Sequence, residues 1–63
     1  MTMTNEILIQ TIRQARADET TLTDAHLAGT VPEHDVIVSM KSVDNLVEMA
    51  IERGLINAPF DEI

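Results

Sequence analysis

Apolar residues in the second half of the chain recur at helical spacing. Val36, Met40, Val43, Val47 and Ala50 are separated by four, three, four and three residues, and the run ends at Glu52-Arg53-Gly54. Steps of three and four place side chains on one face of a helix, and a glycine just past the last apolar position is a common stop. Pro32 suits the start of this element, and Glu33 and Asp35 behind it complement a helix N-terminus. The pattern predicts a long helix over 32–53. Gly54 then supplies the left-handed residue and lets Leu55 fold back over Met49 or Ala50. Asn57-Ala58-Pro59 prevents continuation and leaves Phe60 and Ile63 as apolar points on an acidic tail, 54–63.

The first half is less regular. Thr4 or Asn5 can cap a helix whose apolar stripe is Leu8, Ile12 and Ala15, widened by Ile9. Glu6 near its start and Arg13 and Arg16 near its end suit the helix dipole. The expected helix covers 5–17. Ala17-Asp18-Glu19-Thr20-Thr21 is polar and β-branched and reads as a connection. A short helix from Asp24 to Ala28, ended by Gly29, completes a connector region over 18–31. The fold class is therefore all-α: one small domain over 1–63, a helical hairpin or bundle with one long C-terminal helix, expected to be dimeric. An α+β alternative uses the β-branched triplet Val36-Ile37-Val38. It places a short strand or hairpin at 27–40 between two helices, with Ser42 capping the second.

The length sharpens the expectation of a dimer. A chain of 63 residues buries only about 60% of the surface exposed by its unfolded form. Small domains compensate with disulfides, metals or partner subunits. There is no cysteine, which removes disulfides and thiolate metal sites and fits a cytoplasmic protein. Phe60 is the only aromatic residue, so the core must be aliphatic. The candidate seam for a second copy or a partner is Val36, Met40, Val43, Val47 and Ala50. No apolar run is long enough to span a membrane, and the N-terminus lacks the basic-then-apolar order of a secretory signal. The chain reads as complete.

The net charge of −7 is unevenly distributed. Residues 1–16 carry Glu6 against Arg13 and Arg16, a balance of +1. Residues 17–63 carry ten acids against Lys41 and Arg53, a balance of −8. Nucleic-acid binding draws its affinity from a basic footprint, so this field disfavours it, and anionic membranes likewise. A protein with a basic or apolar surface is the expected partner, although acidity also serves solubility. Asp44, Glu48 and Glu52 follow one another at steps of four. Such like charges repel by a few tenths of a kcal/mol, with Lys41 offsetting Asp44 in part. This stripe is the candidate partner-binding face.

Catalytic chemistry finds little to work with. His26 and His34 lie eight residues apart across a glycine and a proline, without the spacing of a zinc site. Nothing places a histidine beside Ser39 or Ser42 as a general base. Gly29 and Gly54 do not make a phosphate loop. No catalytic residue, metal or cofactor is expected, and Met40 and Met49 read as core or interface filler.

Three family resemblances bear on function. Glu6-Ile7-Leu8, then Leu22-Thr23-Asp24-Ala25-His26-Leu27-Ala28-Gly29, then Leu46-Val47-Glu48-Met49-Ala50-Ile51-Glu52-Arg53-Gly54-Leu55-Ile56 resemble the skeleton of a winged-helix DNA-binding domain. That implies a compact transcriptional regulator, although the helix that would read DNA holds Glu33, His34 and Asp35. Lys41-Ser42-Val43-Asp44 resembles the Asp-Ser-Leu motif of acyl carrier proteins, with Lys41 where that family has Asp. It implies phosphopantetheine attachment at Ser42. Residues 36–54 are similar to the strand and first helix of ribbon-helix-helix repressors, without the second helix. The leading expectation is a small acidic interaction module that binds and modulates, for instance inhibits, a partner protein such as a nucleic-acid-processing enzyme with a basic surface. The winged-helix-like regulator and the acyl-carrier-like protein are the alternatives.

Overall fold

The computed structural model describes residues 3–58. Within them the chain forms two α-helices, α1 (Asn5–Leu27) and α2 (Glu33–Glu52), joined by a short turn. No strand occurs among the described residues, so the β-branched triplet Val36-Ile37-Val38 lies inside α2. The fold is all-α, a helical hairpin. The expected tail residues 59–63, with Phe60 and Ile63, lie outside the described residues.

α1 begins as its sequence dictates. The Thr4 backbone is extended, and its hydroxyl oxygen accepts the Ile7 N–H at 3.2 Å. Glu6 occupies the positive first turn. The helix then departs from expectation by continuing through 18–27, where a connector and a separate short helix were expected. Two features carry it. First, the apolar row Leu8, Ile12, Ala15 continues at steps of four and three through Glu19, Leu22 and His26, all half-buried. Second, the threonines are satisfied within the helix. The hydroxyls of Thr20, Thr21 and Thr23 donate to the carbonyls of Arg16, Ala17 and Glu19, each four residues back, at 2.8–3.1 Å. Low intrinsic propensity is outweighed by tertiary packing and local bonding.

Both helices end in the same way. Gly29 and Gly54 have φ of 83° and 73°. The Thr30 and Leu55 N–H groups reach back to the Ala25 and Ala50 carbonyls, at 3.0 and 2.9 Å. Those bonds, with the Gly29 and Gly54 N–H groups bonded to the His26 and Ile51 carbonyls, complete a Schellman motif at each end. Leu55 packs against the core as expected. In the turn, His26 Nδ1 lies 2.8 Å from the Val31 carbonyl oxygen. A carbonyl can only accept, so this nitrogen carries the proton. Pro32 is the extended N-cap of α2 and offers no side-chain cap, leaving Glu33 and Asp35 to complement the first turn.

The core sits at the end of the hairpin away from the turn. Leu8, Ile12, Val43, Val47, Ala50 and Ile56 form one buried cluster, flanked by partly buried Met3, Ala15, Leu46, Ile51 and Leu55. Arg53 closes this end. Its Nη1 donates to the Met3 carbonyl at 2.6 Å and to Asn5 Oδ1 at 3.2 Å. The guanidinium thereby joins the C-terminal end of α2 to the entry of α1.

Candidate binding surfaces

Two antiparallel helices make one layer. The molecule measures 38 × 25 × 15 Å, and its thinnest dimension is little more than one helix diameter, about 10–12 Å with side chains. Each helix shows one side to its neighbour, leaving two broad faces and two outer edges.

The seam residues expected to meet a partner lie largely within the chain itself. Val43, Val47 and Ala50 are core residues shared with α1, and Val36 is buried nearer the turn. Met40 is different, being 47% exposed. Ser39 is the half-buried residue at that level. A four-three spacing is compatible with either position, and the rotation of α2 against α1 turns Ser39 inward.

The acidic residues Asp44, Glu48 and Glu52 are all exposed on α2. Asp44 and Glu48 border a shallow depression of about 350 Å³ floored by Val47 and Ile51. On the opposite face a groove of about 580 Å³ runs between the helices, lined by Asp18 and Leu22 of α1 and by Asp35, Val38, Ser39 and Ser42 of α2. It is open to solvent.

Ser42, the residue matching the carrier-protein motif, lies in the middle of α2, where its hydroxyl donates to the Val38 carbonyl at 3.1 Å. His34 lines the groove but His26 is engaged in the turn. Among the described residues no three His, Asp or Glu side chains converge in a way that could hold a metal ion. None of their helices is long and apolar enough to cross a membrane. The segment 22–29, one of the three pieces of the expected winged-helix skeleton, is the C-terminal end of α1 and its stop. Compared with known protein families, curated proteins and solved structures, the chain matches none.

A second row runs along each helix, and on α2 it shares Met40 and Val47 with the expected seam and Asp44 with the acidic face. Ile37, Met40, Asp44, Val47 and Ile51 recur on α2 at steps of three and four, beside the buried seam. Ile9, Arg13, Arg16, Thr20, Thr23 and Leu27 recur on α1 at steps of four and three. The signal was present in the spacing but masked by polar residues at the centre of both rows.

Proposed function

We propose that this protein is a binding module that docks a basic surface of another protein through the carboxylates of Asp44, Glu48 and Glu52. The observation that carries the reading is the exposure of all three acids at steps of four along one helix. At that spacing they repel one another, and Lys41 stands three residues before Asp44 as a partial offset. A partner's Arg or Lys side chains relieve the repulsion and gain charge-assisted hydrogen bonds. The surrounding net charge of −7 steers basic partners toward the molecule. Occupying a basic patch excludes whatever else uses it, so inhibition of a nucleic-acid-processing protein is the natural outcome.

The test is capture from native lysate on the immobilised chain, eluted in salt steps, beside a Glu48→Lys/Glu52→Lys variant. A partner released at moderate salt and lost with the variant supports the acidic face, because exposed charges are screened by salt. Capture unaffected by the variant, or resistant to salt, overturns it.

A further inference from the structure

We infer that the groove between α1 and α2 docks an amphipathic helix of another protein, with apolar residues in the groove and Lys or Arg on its flanks. Two helices in one layer leave this groove uncovered, whereas domains are built from at least two packed layers. Ala15, Leu22 and Ser39 are half-buried and form its floor, and Asp18, Asp35, Val38 and Ser42 are exposed along its rims. The small side chains of Ala15 and Ser39 let a third helix approach to the roughly 8–10 Å between axes at which helices pack. A second depression, of about 450 Å³, meets the groove at Ala15 and Asp18 and reaches Ile7. From Ile7 to Leu22 α1 rises about 22 Å, roughly four turns, enough for anchors at i, i+3 or i+4, and i+7 of a bound helix. Ile7 and Val38, 50% and 48% exposed, offer apolar surface to such anchors. There is no strand edge among the described residues, so an extended peptide finds no ladder to join.

The polar lining calls for cationic donors. The Ser42 hydroxyl donates to the Val38 carbonyl at 3.1 Å and the Thr11 hydroxyl to the Ile7 carbonyl at 2.7 Å. Gln14 Nε2 donates to Asp18 Oδ1 at 3.0 Å. Those protons are used within the chain. Ionised carboxylates only accept, with about four lone-pair sites each, and Gln14 reaches one oxygen of Asp18. Asp18 stands on the α1 rim and Asp35 on the α2 rim, so a helix lying in the groove meets one carboxylate on each flank. His34 is the other titratable side chain of the lining, and no Lys or Arg lines the groove among the described residues. A partner's Lys or Arg makes charge-assisted hydrogen bonds to these rims and lays its aliphatic stem along Val38 or Leu22.

The same charges argue against a second copy of this chain as the occupant. Two copies joined groove to groove set both Asp18 and both Asp35 carboxylates in one interface, with no Lys or Arg of the lining to answer them. Like charges brought together across an interface suppress that pairing. The net charge of −7 acts in the same direction, repelling a second copy and attracting a basic segment. This site is separate from the depression bordered by Asp44 and Glu48, so the two readings stand or fall independently.

The test titrates the intact, nitrogen-15-labelled chain with a synthetic helical peptide, about four turns long, carrying a leucine stripe flanked by lysines. A second peptide has glutamate at every lysine position. At about 0.15 M salt, where long-range attraction is screened, the lysine peptide should bind one to one and the glutamate peptide should not. Amide shifts should concentrate at Ala15, Asp18, Leu22, Val38 and Ser42. Val38→Gln should weaken binding about three- to tenfold, the worth of burying the exposed half of a valine, with helix content unchanged because Val38 lies outside the core. Asp18→Lys should narrow or reverse the preference between the two peptides. The Glu48→Lys/Glu52→Lys variant should lower affinity less than Asp18→Lys alone does, so this site is read apart from the acidic face. Absence of binding, equal binding of both peptides, or shifts centred on Asp44, Glu48 and Glu52 overturns the inference. So does a dimer of the chain alone, seen by sedimentation equilibrium and lost in Val38→Gln, since a second copy would then fill the groove.

Discussion

Ile12 is the residue on which the hairpin leans most, and Ile12→Ala measures how far. Its side chain is completely buried at the centre of a core of six residues. Truncation to alanine removes three carbons from that environment. At about 0.8 kcal/mol per buried methylene-sized group, the transfer term alone is about 2.4 kcal/mol. A residual cavity adds to it, and buried Ile→Ala changes fall at about 2–5 kcal/mol. A one-layer hairpin can collapse around the gap more easily than a thick core, so the expected cost is about 3 kcal/mol, toward the lower half of that range. Typical stabilities of roughly 0.05–0.15 kcal/mol per residue place a chain of this length at about 3–9 kcal/mol in total. The variant should therefore lose a third or more of its stability. With no Trp or Tyr, urea unfolding must be followed by far-ultraviolet circular dichroism. Leu27→Ala is the internal control: Leu27 is 80% exposed, and its truncation should cost less than about 0.5 kcal/mol. A cost below about 1 kcal/mol for Ile12→Ala, or one matched by Leu27→Ala, would refute the placement of the core.

Other perturbations test separate joints of the fold. Arg53→Ala removes both hydrogen bonds that tie α2 to Met3 and Asn5. It should cost about 1–2 kcal/mol in the same urea assay, and Arg53→Lys should recover part of it, since one nitrogen makes both bonds and an ammonium has donors enough for the two acceptors but a shorter reach. Gly29→Ala should cost about 1–2 kcal/mol from the left-handed backbone alone, since a Cβ there meets nothing within 4 Å; an unchanged unfolding midpoint would contradict the Schellman stop.

The sequence made α2 readable because its apolar spacing, its proline entry and its glycine stop agree with one another. The reading of α1 failed where local and tertiary preferences diverge. Thr20, Thr21 and Thr23 argue for extended structure as isolated residues, but inside a helix their hydroxyls find carbonyl acceptors. Glu19 hid the continuity of the row that runs from Leu8 to His26. Ile56 lies beyond the α2 stop, so no helical periodicity could assign it to the core it joins. Arg53 is legible as a charge, but its acceptors lie 48 and 50 residues away, beyond any local rule. At the surface, the exposure of Asp44, Glu48 and Glu52 follows from their charge. The assignment of the seam to the chain's own interior required knowing that α1 is long enough to cover it.

The position of the core at the open end also shapes how the chain finds its fold. The best-packed contacts join Leu8 and Ile12 to Val47 and Ala50, so close to forty residues of chain must loop round before the first of them forms, at an entropic cost that rises with the logarithm of that length. Near the turn, where closure is least costly, Val36 is the one buried side chain and Leu22 and His26 are half-buried beside an open groove, so less is gained by meeting there first. The hairpin is thus a poor zipper. Its folding waits on a long-range encounter between the two distant halves of the chain, a topology-limited search of the kind more often associated with sheets than with helices.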